Sequence, residues 1–195
     1  MQELRVCAYD GGAGVRVGSV AEGRVYDLNR CCVQQLTGEQ SIGDAYRLAN
    51  TIVPAELGEF LGGGDAVLAA ARRGLEWVLK EGTESGPAGE PLSYNANDVK
   101  LRAPIISSTK VICMGDTYMS HAALAGSEQP DSPGIFFKMS QVVVGPDEWV
   151  IYPKNYYPKP LVYDTELTVV MGKAGMSIPE EEVDDHIFGY TILND

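Results

Sequence analysis

The stretch VYDTELTVV, residues 162–170, is an apolar run broken by Asp164 and Glu166, two positions apart. In a β-strand, residues i and i+2 point to the same face, so this spacing sets the two carboxylates side by side. Unpaired neighbouring charges in an apolar setting cost several kcal/mol each, so they require water, a basic partner or a metal ion. A solvated edge strand satisfies the pattern, and so does a metal clamp. A third acid, Asp195, ends a second apolar run, GYTILND. Carboxylates alone make a hard, oxygen-rich donor set, suited to Mg²⁺, Mn²⁺ or Ca²⁺ and poorly suited to Zn²⁺.

Around this strand the chain is strand-rich. VKLRAPI, KVICMG, GIFFKMS, QVVVG, WVIYP, LVYDTELTVVMGK and IFGYTILND all read as strands. Two short helices interrupt them, over 118–125 and 180–186. Pro179 and the acids that follow it suit a helix N-terminus. Upstream, LRVCAYD, GVRVGSV and RVYDLN form a small antiparallel meander with turns at Gly11-Gly12 and Ala21-Glu22-Gly23. Helices are predicted over 44–52, 55–61 and 65–80, the last capped by Asp65, with Val67, Leu68, Ala71, Leu75, Val78 and Leu79 on one face. The Gly62-Gly63-Gly64 run lacks the spacing of a phosphate-binding loop and reads as a helix entry. Residues 81–97, EGTESGPAGEPLSYNAN, have linker composition. The predicted fold class is therefore α+β, mostly β: an N-terminal α/β unit over 1–80, a linker, and a second unit over 98–195.

The 195 residues carry a formal net charge of −12, with 45% hydrophobic and 22% charged residues. Such a balance excludes a nucleic-acid backbone as partner. No window has the roughly 18 consecutive apolar residues of a membrane span, and the N-terminus lacks a signal-peptide pattern, which predicts a cytoplasmic protein. Cys7, Cys31, Cys32 and Cys113 show no metal-binding or disulfide spacing.

His121, in GDTYMSHAALAG, lies where a strand ends and a short helix begins, and suits either a general base or a hydrogen-bonded structural residue. His186, in EEEVDDH, reads as a solvated or C-terminal helix residue. Lys138 stands alone among apolar neighbours. It can neutralise an anionic substrate, partner a carboxylate, or snorkel from a strand edge. The Pro- and Tyr-rich YPKNYYPKPLVY reads as an extended loop forming a wall or lid.

Taken in order, KLRAPI, KVICMGDTYMSHAALAG, SPGIFFKMSQVVVGP, YDTELTVVMGK and EEEVDDHIFGYTILND resemble the fumarylacetoacetate hydrolase family, over about 99–195. The resemblance implies a mixed β-roll with the site in its mouth. It implies that Asp164, Glu166 and Asp195 are ligands of Mg²⁺ or Mn²⁺ (or Ca²⁺), that His121 is the catalytic histidine, and that the protein is a homodimer. Lys138 and Tyr118 are the candidates for contact with a small anionic oxo-acid substrate. The implied activity is metal-dependent hydrolase or lyase chemistry at a C–C bond of a β-diketo or 2-oxo acid, through an enolate-like species. The alternatives are a dehydratase or isomerase of a sugar-derived 2-oxo acid, and an inactive metal-binding homologue.

Three departures bear on that reading. Asp164 stands where the family commonly has Glu. Leu124 occupies the position where one branch has a Glu that orients water with the histidine. Family members also continue well past the position of Asp195, so the 195 residues are expected to be part of a longer product, inactive by themselves.

Overall fold

The computed structural model describes residues 4–104, 110–115, 117–124, 126, 128 and 130–195, and the side chains of His121 and Leu124 lie outside what it describes. The N-terminal strands β1 (Val6–Asp10), β2 (Val15–Ala21) and β3 (Arg24–Asp27) form the expected antiparallel meander. The sheet is larger than the sequence indicated. β4 (Ser93–Asn95) pairs with β3 and β5 (Lys100–Arg102) pairs with β1, giving the order β4-β3-β2-β1-β5. The stretch expected as a linker thus supplies an edge strand and the fully buried Leu92.

Four helices follow the meander. The first, α1 (Leu28–Gly38), was not apparent from the sequence. Its signal was present nevertheless. Asp27 is both the last residue of β3 and the helix N-cap, its carboxylate accepting from the Arg30 N–H at 2.9 Å. Leu28, Cys31, Cys32, Gln35 and Leu36 are all buried, at helical spacing. α2 (Ala45–Ile52), α3 (Leu57–Gly62) and α4 (Gly64–Glu81) lie close to their predicted spans. Gly63, not Asp65, caps α4, and Gly82 ends it in the left-handed conformation at φ +66. At Gly74, α4 passes so close to α1 that an added Cβ would sit 2.9 Å from the Cys32 backbone nitrogen. These helices bury their apolar faces with the sheet in a core containing Val17, Leu28, Cys31, Phe60 and Leu75.

Beneath α1 lies a buried charge. Asp27 accepts from the Tyr9 hydroxyl at 2.6 Å and pairs with Arg16 at 2.5 Å and Arg30 at 3.6 Å. The Arg16 side chain is a quarter exposed while Asp27 is fully buried, so the carboxylate depends on these donors to replace water.

The second half is built from two antiparallel ribbons: β6 (Lys110–Gly115) with β7 (Gly134–Met139), and β8 (Thr165–Met171) with β9 (Ile187–Asn194). The short helix α5 (Met119–Leu124) follows β6. The strands expected at QVVVG and WVIYP do not form. A 3₁₀ turn over Ser140–Val142 replaces the first, and irregular chain replaces the second. Pro146, Pro153, Pro158 and Pro160 remove backbone donors along this stretch, which disfavours a ladder there. The helix expected over 180–186 is likewise 3₁₀ rather than α. Each ribbon leaves an apolar face in solvent, with Ile112, Ile135 and Phe137 on one and Leu167, Val169 and Ile192 on the other.

Among the described residues, the halves meet through an aromatic contact and a charged link. Phe188 of β9 packs edge-on against Phe60 of α3, with ring centroids 6.2 Å apart. Glu148 pairs with Lys100 at 2.9 Å and with Arg102 at 3.0 Å, and Arg102 also reaches Asp10 at 3.2 Å. The fold is α+β, as expected. Among the described residues, no helix is long and apolar enough to cross a membrane.

Two outcomes follow from these charges. Asp27→Ala removes a cap and leaves two partly buried arginines and the buried Tyr9 hydroxyl without their acceptor, so urea unfolding should show a loss of about 3 kcal/mol. The Gly145 N–H, Lys100 and Arg102 hold the Glu148 carboxyl at about 2, against an ordinary value of 4.5. Its folded pKa is depressed, so the link is fully in place above 4.5 and is lost as pH falls toward 2. The emission of the adjacent Trp149 should report a step in that window, and Glu148→Gln should abolish it.

Candidate metal centre

The β8–β9 ribbon positions the acids through its register. Thr165 pairs with Asn194 and Glu166 with Leu193. One step further, Asp164 and Asp195 exchange both backbone bonds: the Asp164 N–H donates to the Asp195 carbonyl at 2.6 Å, and the Asp195 N–H donates back at 2.8 Å. Residues directly opposite each other in an antiparallel pair share a face, with Cα atoms about 5.5 Å apart when they exchange both bonds. Asp164 therefore shares a face with Asp195 across the ribbon and with Glu166 along its own strand. The i, i+2 pattern was legible in the sequence, whereas the pairing with Asp195 required the register.

The second ribbon brings a cation. Lys138 on β7 lies opposite Val111, and its neighbour on the same face, Phe136, lies opposite Cys113. The Lys138 ammonium forms an ion pair with Asp195 Oδ1, with both side chains partly exposed. Its bond to Asp195 holds the Lys138 pKa above the ordinary lysine value. The ammonium also sits 5.9 Å from the Phe136 ring centroid, within cation–π range. Partial burial pushes the Cys113 thiol up, and the charges of Asp195 and Glu166 add to that shift while Lys138 opposes it. Cys113 thus belongs to the surroundings of the acids. Only the parity of its position on β6 pointed there.

A cleft of about 470 Å³ opens beside the acids. Asp164, just before β8, lines it with Thr165, Glu166 and Leu167 of β8 and Ile192 of β9, together with Tyr118, just before α5, and Ser120 of α5. Tyr118 was anticipated as a substrate contact; Ser120 was not, and no sequence pattern distinguishes it. His121 follows Ser120 in α5, and its side chain lies outside the described residues, as does that of Leu124. The other histidine, His186, ends the 3₁₀ segment before β9 and is buried rather than solvated, with Nδ1 3.1 Å from the Lys173 carbonyl. That contact is structural.

The donor chemistry and shared face of Asp164, Glu166 and Asp195 fit a hard divalent cation. The side chains do not yet converge: among the described residues, no three His, Cys, Asp or Glu side chains are close enough to hold one ion. Instead the Asp195 carboxylate is engaged by Lys138.

Comparison with known proteins agrees with this architecture. Residues 110–195 match the fumarylacetoacetate (FAA) hydrolase C-terminal family. The oxaloacetate tautomerase YisK of Bacillus subtilis is 35% identical over 183 residues, covering 90% of this chain and 58% of that protein. Among solved structures, maleylpyruvate hydrolase from Sphingobium sp. SYK-6, in complex with manganese(II) and pyruvate, superposes with a TM-score of 0.58 at 20% identity. That match covers 98% of this chain and 58% of the hydrolase. The 2-hydroxyhepta-2,4-diene-1,7-dioate isomerase of Mycobacterium marinum gives a TM-score of 0.58 at 22% identity, over 99% of this chain and 54% of that one. The chain thus spans about half the length of its relatives. Residues 110–195 thus match the fumarylacetoacetate hydrolase C-terminal family, and the fold follows its structural neighbours along nearly the whole length of the chain.

Proposed function

We infer that this chain carries the acidic, cation-holding part of a divalent-metal enzyme acting on a small 2-oxo acid through an enolate-like species. The observation that carries the reading is the β8–β9 register, by which Asp164, Glu166 and Asp195 share one face, with Asp164 and Glu166 lining the cleft. These three residues would hold Mg²⁺ or Mn²⁺, and the manganese in the maleylpyruvate hydrolase neighbour supports that choice. The ion, when bound, supplies Lewis-acid stabilisation of the negative charge that builds on the oxygens of an oxo acid.

The chain's own residues do the rest. Lys138 offers an ammonium to the substrate carboxylate, a contact suited to an anionic oxo acid. Tyr118 lines the cleft with a phenol able to hydrogen-bond an oxygen of the substrate. His121, on α5 next to the cleft-lining Ser120, moves the proton at the carbon beside the carbonyl. In this proposal residues 110–195 form the first part of the catalytic domain. The N-terminal sheet, which extends to Arg102, forms a separate unit packed against it.

Two reactions share this chemistry. Hydrolytic C–C cleavage needs an attacking water as well as an enolate, and Leu124 cannot orient one where some family members have Glu. Tautomerisation or isomerisation needs only proton transfer. The likeness to an oxaloacetate tautomerase over 90% of the chain favours that second reading.

The full-length protein, titrated with Mn²⁺ calorimetrically, should bind the ion, and Asp164→Ala or Glu166→Ala should each weaken binding by about tenfold or more. Metal-loaded enzyme should accelerate the keto–enol interconversion of oxaloacetate, followed by enol absorbance. Release of pyruvate from acylpyruvates would instead select hydrolysis. Failure of Mn²⁺ to bind, or affinity unchanged in both alanine variants, would overturn the reading.

A further inference from the structure

The contact between Lys138 and Asp195 bears on how the acid face takes up its cation; the inference rests on the metal reading above. Lys138 projects from the β6–β7 ribbon, yet its ammonium pairs with an acid at the end of the other ribbon. The acid face carries three carboxylates within two residue positions of one another along and across the ribbon. Their mutual repulsion is relieved by one tethered positive charge. That charge sits on a flexible stem whose side chain is 35% exposed, so a short rotation returns it to solvent. The Phe136 ring lies close enough to receive the ammonium on leaving Asp195.

We propose that Lys138 is an internal counter-ion that neutralises Asp195 until a divalent cation binds, then leaves it to pair with the carboxylate of the oxo acid. A second positive charge next to a divalent ion is repelled, whereas a free ammonium next to an incoming anion is attracted. Lys138 therefore weakens cation binding and strengthens anion binding. The opposite signs separate this role from simple positioning of Asp195, whose loss would weaken both.

The test is calorimetric titration of the full-length protein with Mn²⁺, then of the Mn²⁺-loaded protein with oxalate, for wild type, Lys138→Met and Lys138→Arg. Lys138→Met should bind Mn²⁺ about tenfold more tightly and oxalate about tenfold more weakly, while Lys138→Arg, which keeps the charge, should stay near wild type. Lys138→Gln preserves a hydrogen bond to Asp195 without the charge and should follow Lys138→Met, which covers the case of a methionine variant that does not fold. Equal or weaker Mn²⁺ binding in the uncharged variants that fold overturns the counter-ion role and leaves the metal reading standing. No Mn²⁺ binding by wild type or variants overturns the metal reading, and this inference with it.

Discussion

Asp164 and Asp195 exchange both of their backbone hydrogen bonds, and the arrangement of the candidate centre depends on that exchange. A shift of one residue along this ladder would turn every side chain of one strand to the opposite face. Glu166 would then face away from Asp195, and the Tyr190 and Ile192 face would exchange places with Thr191 and Leu193. The register is held by pairing from Met171 to Thr165 against Ile187 to Asn194, with a single irregularity near Met171, at the end far from the acids. Such a ladder brings two aspartates directly opposite each other, an unfavourable juxtaposition for like charges. The stability of the ribbon and the chemistry of the face pull in opposite directions here, and the ammonium of Lys138 is what the fold supplies between them.

The N-terminal half shows the contrasting treatment of a carboxylate. Asp27 is fully buried, yet its oxygens are met by a tyrosine hydroxyl, two arginines and a helix N–H. That is a closed structural network, with donors to replace every lost contact with water. Among the described residues, Asp164, Glu166 and Asp195 have far fewer protein donors, and Asp164 and Glu166 line an open cleft. The difference in satisfaction, rather than in residue type, distinguishes an acid that holds the fold together from acids available to a ligand.

The two halves are also stabilised differently. Residues 4–104 bury a continuous core between one sheet and four helices. The ribbons of 110–195 leave apolar side chains such as Phe137 and Ile192 in solvent, and a two-stranded ribbon gains little stability alone. Their anchorage in this chain comes from Phe188 against Phe60 and from Glu148 against Lys100 and Arg102. The last of these links ties β5 to the irregular chain that precedes Asp164.

Local pattern carried much of this. The meander, α2 to α4, the hairpin strands and the Asp164–Glu166 pair all follow from periodicities of two or 3.6 residues and from turn chemistry, which act over a few neighbours. Helix α1 was missed because Asp27 ends a strand and caps a helix at once, leaving no gap between the two signals. QVVVG and WVIYP read as strands by composition, but a strand needs a partner, and composition does not reveal whether one exists. The sequence by itself thus determined which residue types carry the chemistry and the faces they take within their own segments. Only the tertiary structure decided that Asp195 lies opposite Asp164, that Lys138 crosses from another ribbon to meet it, and that β4 and β5 complete the N-terminal sheet. Those pairings join residues tens of positions apart, and their free energy comes from long-range register and charge, which no local window of sequence contains.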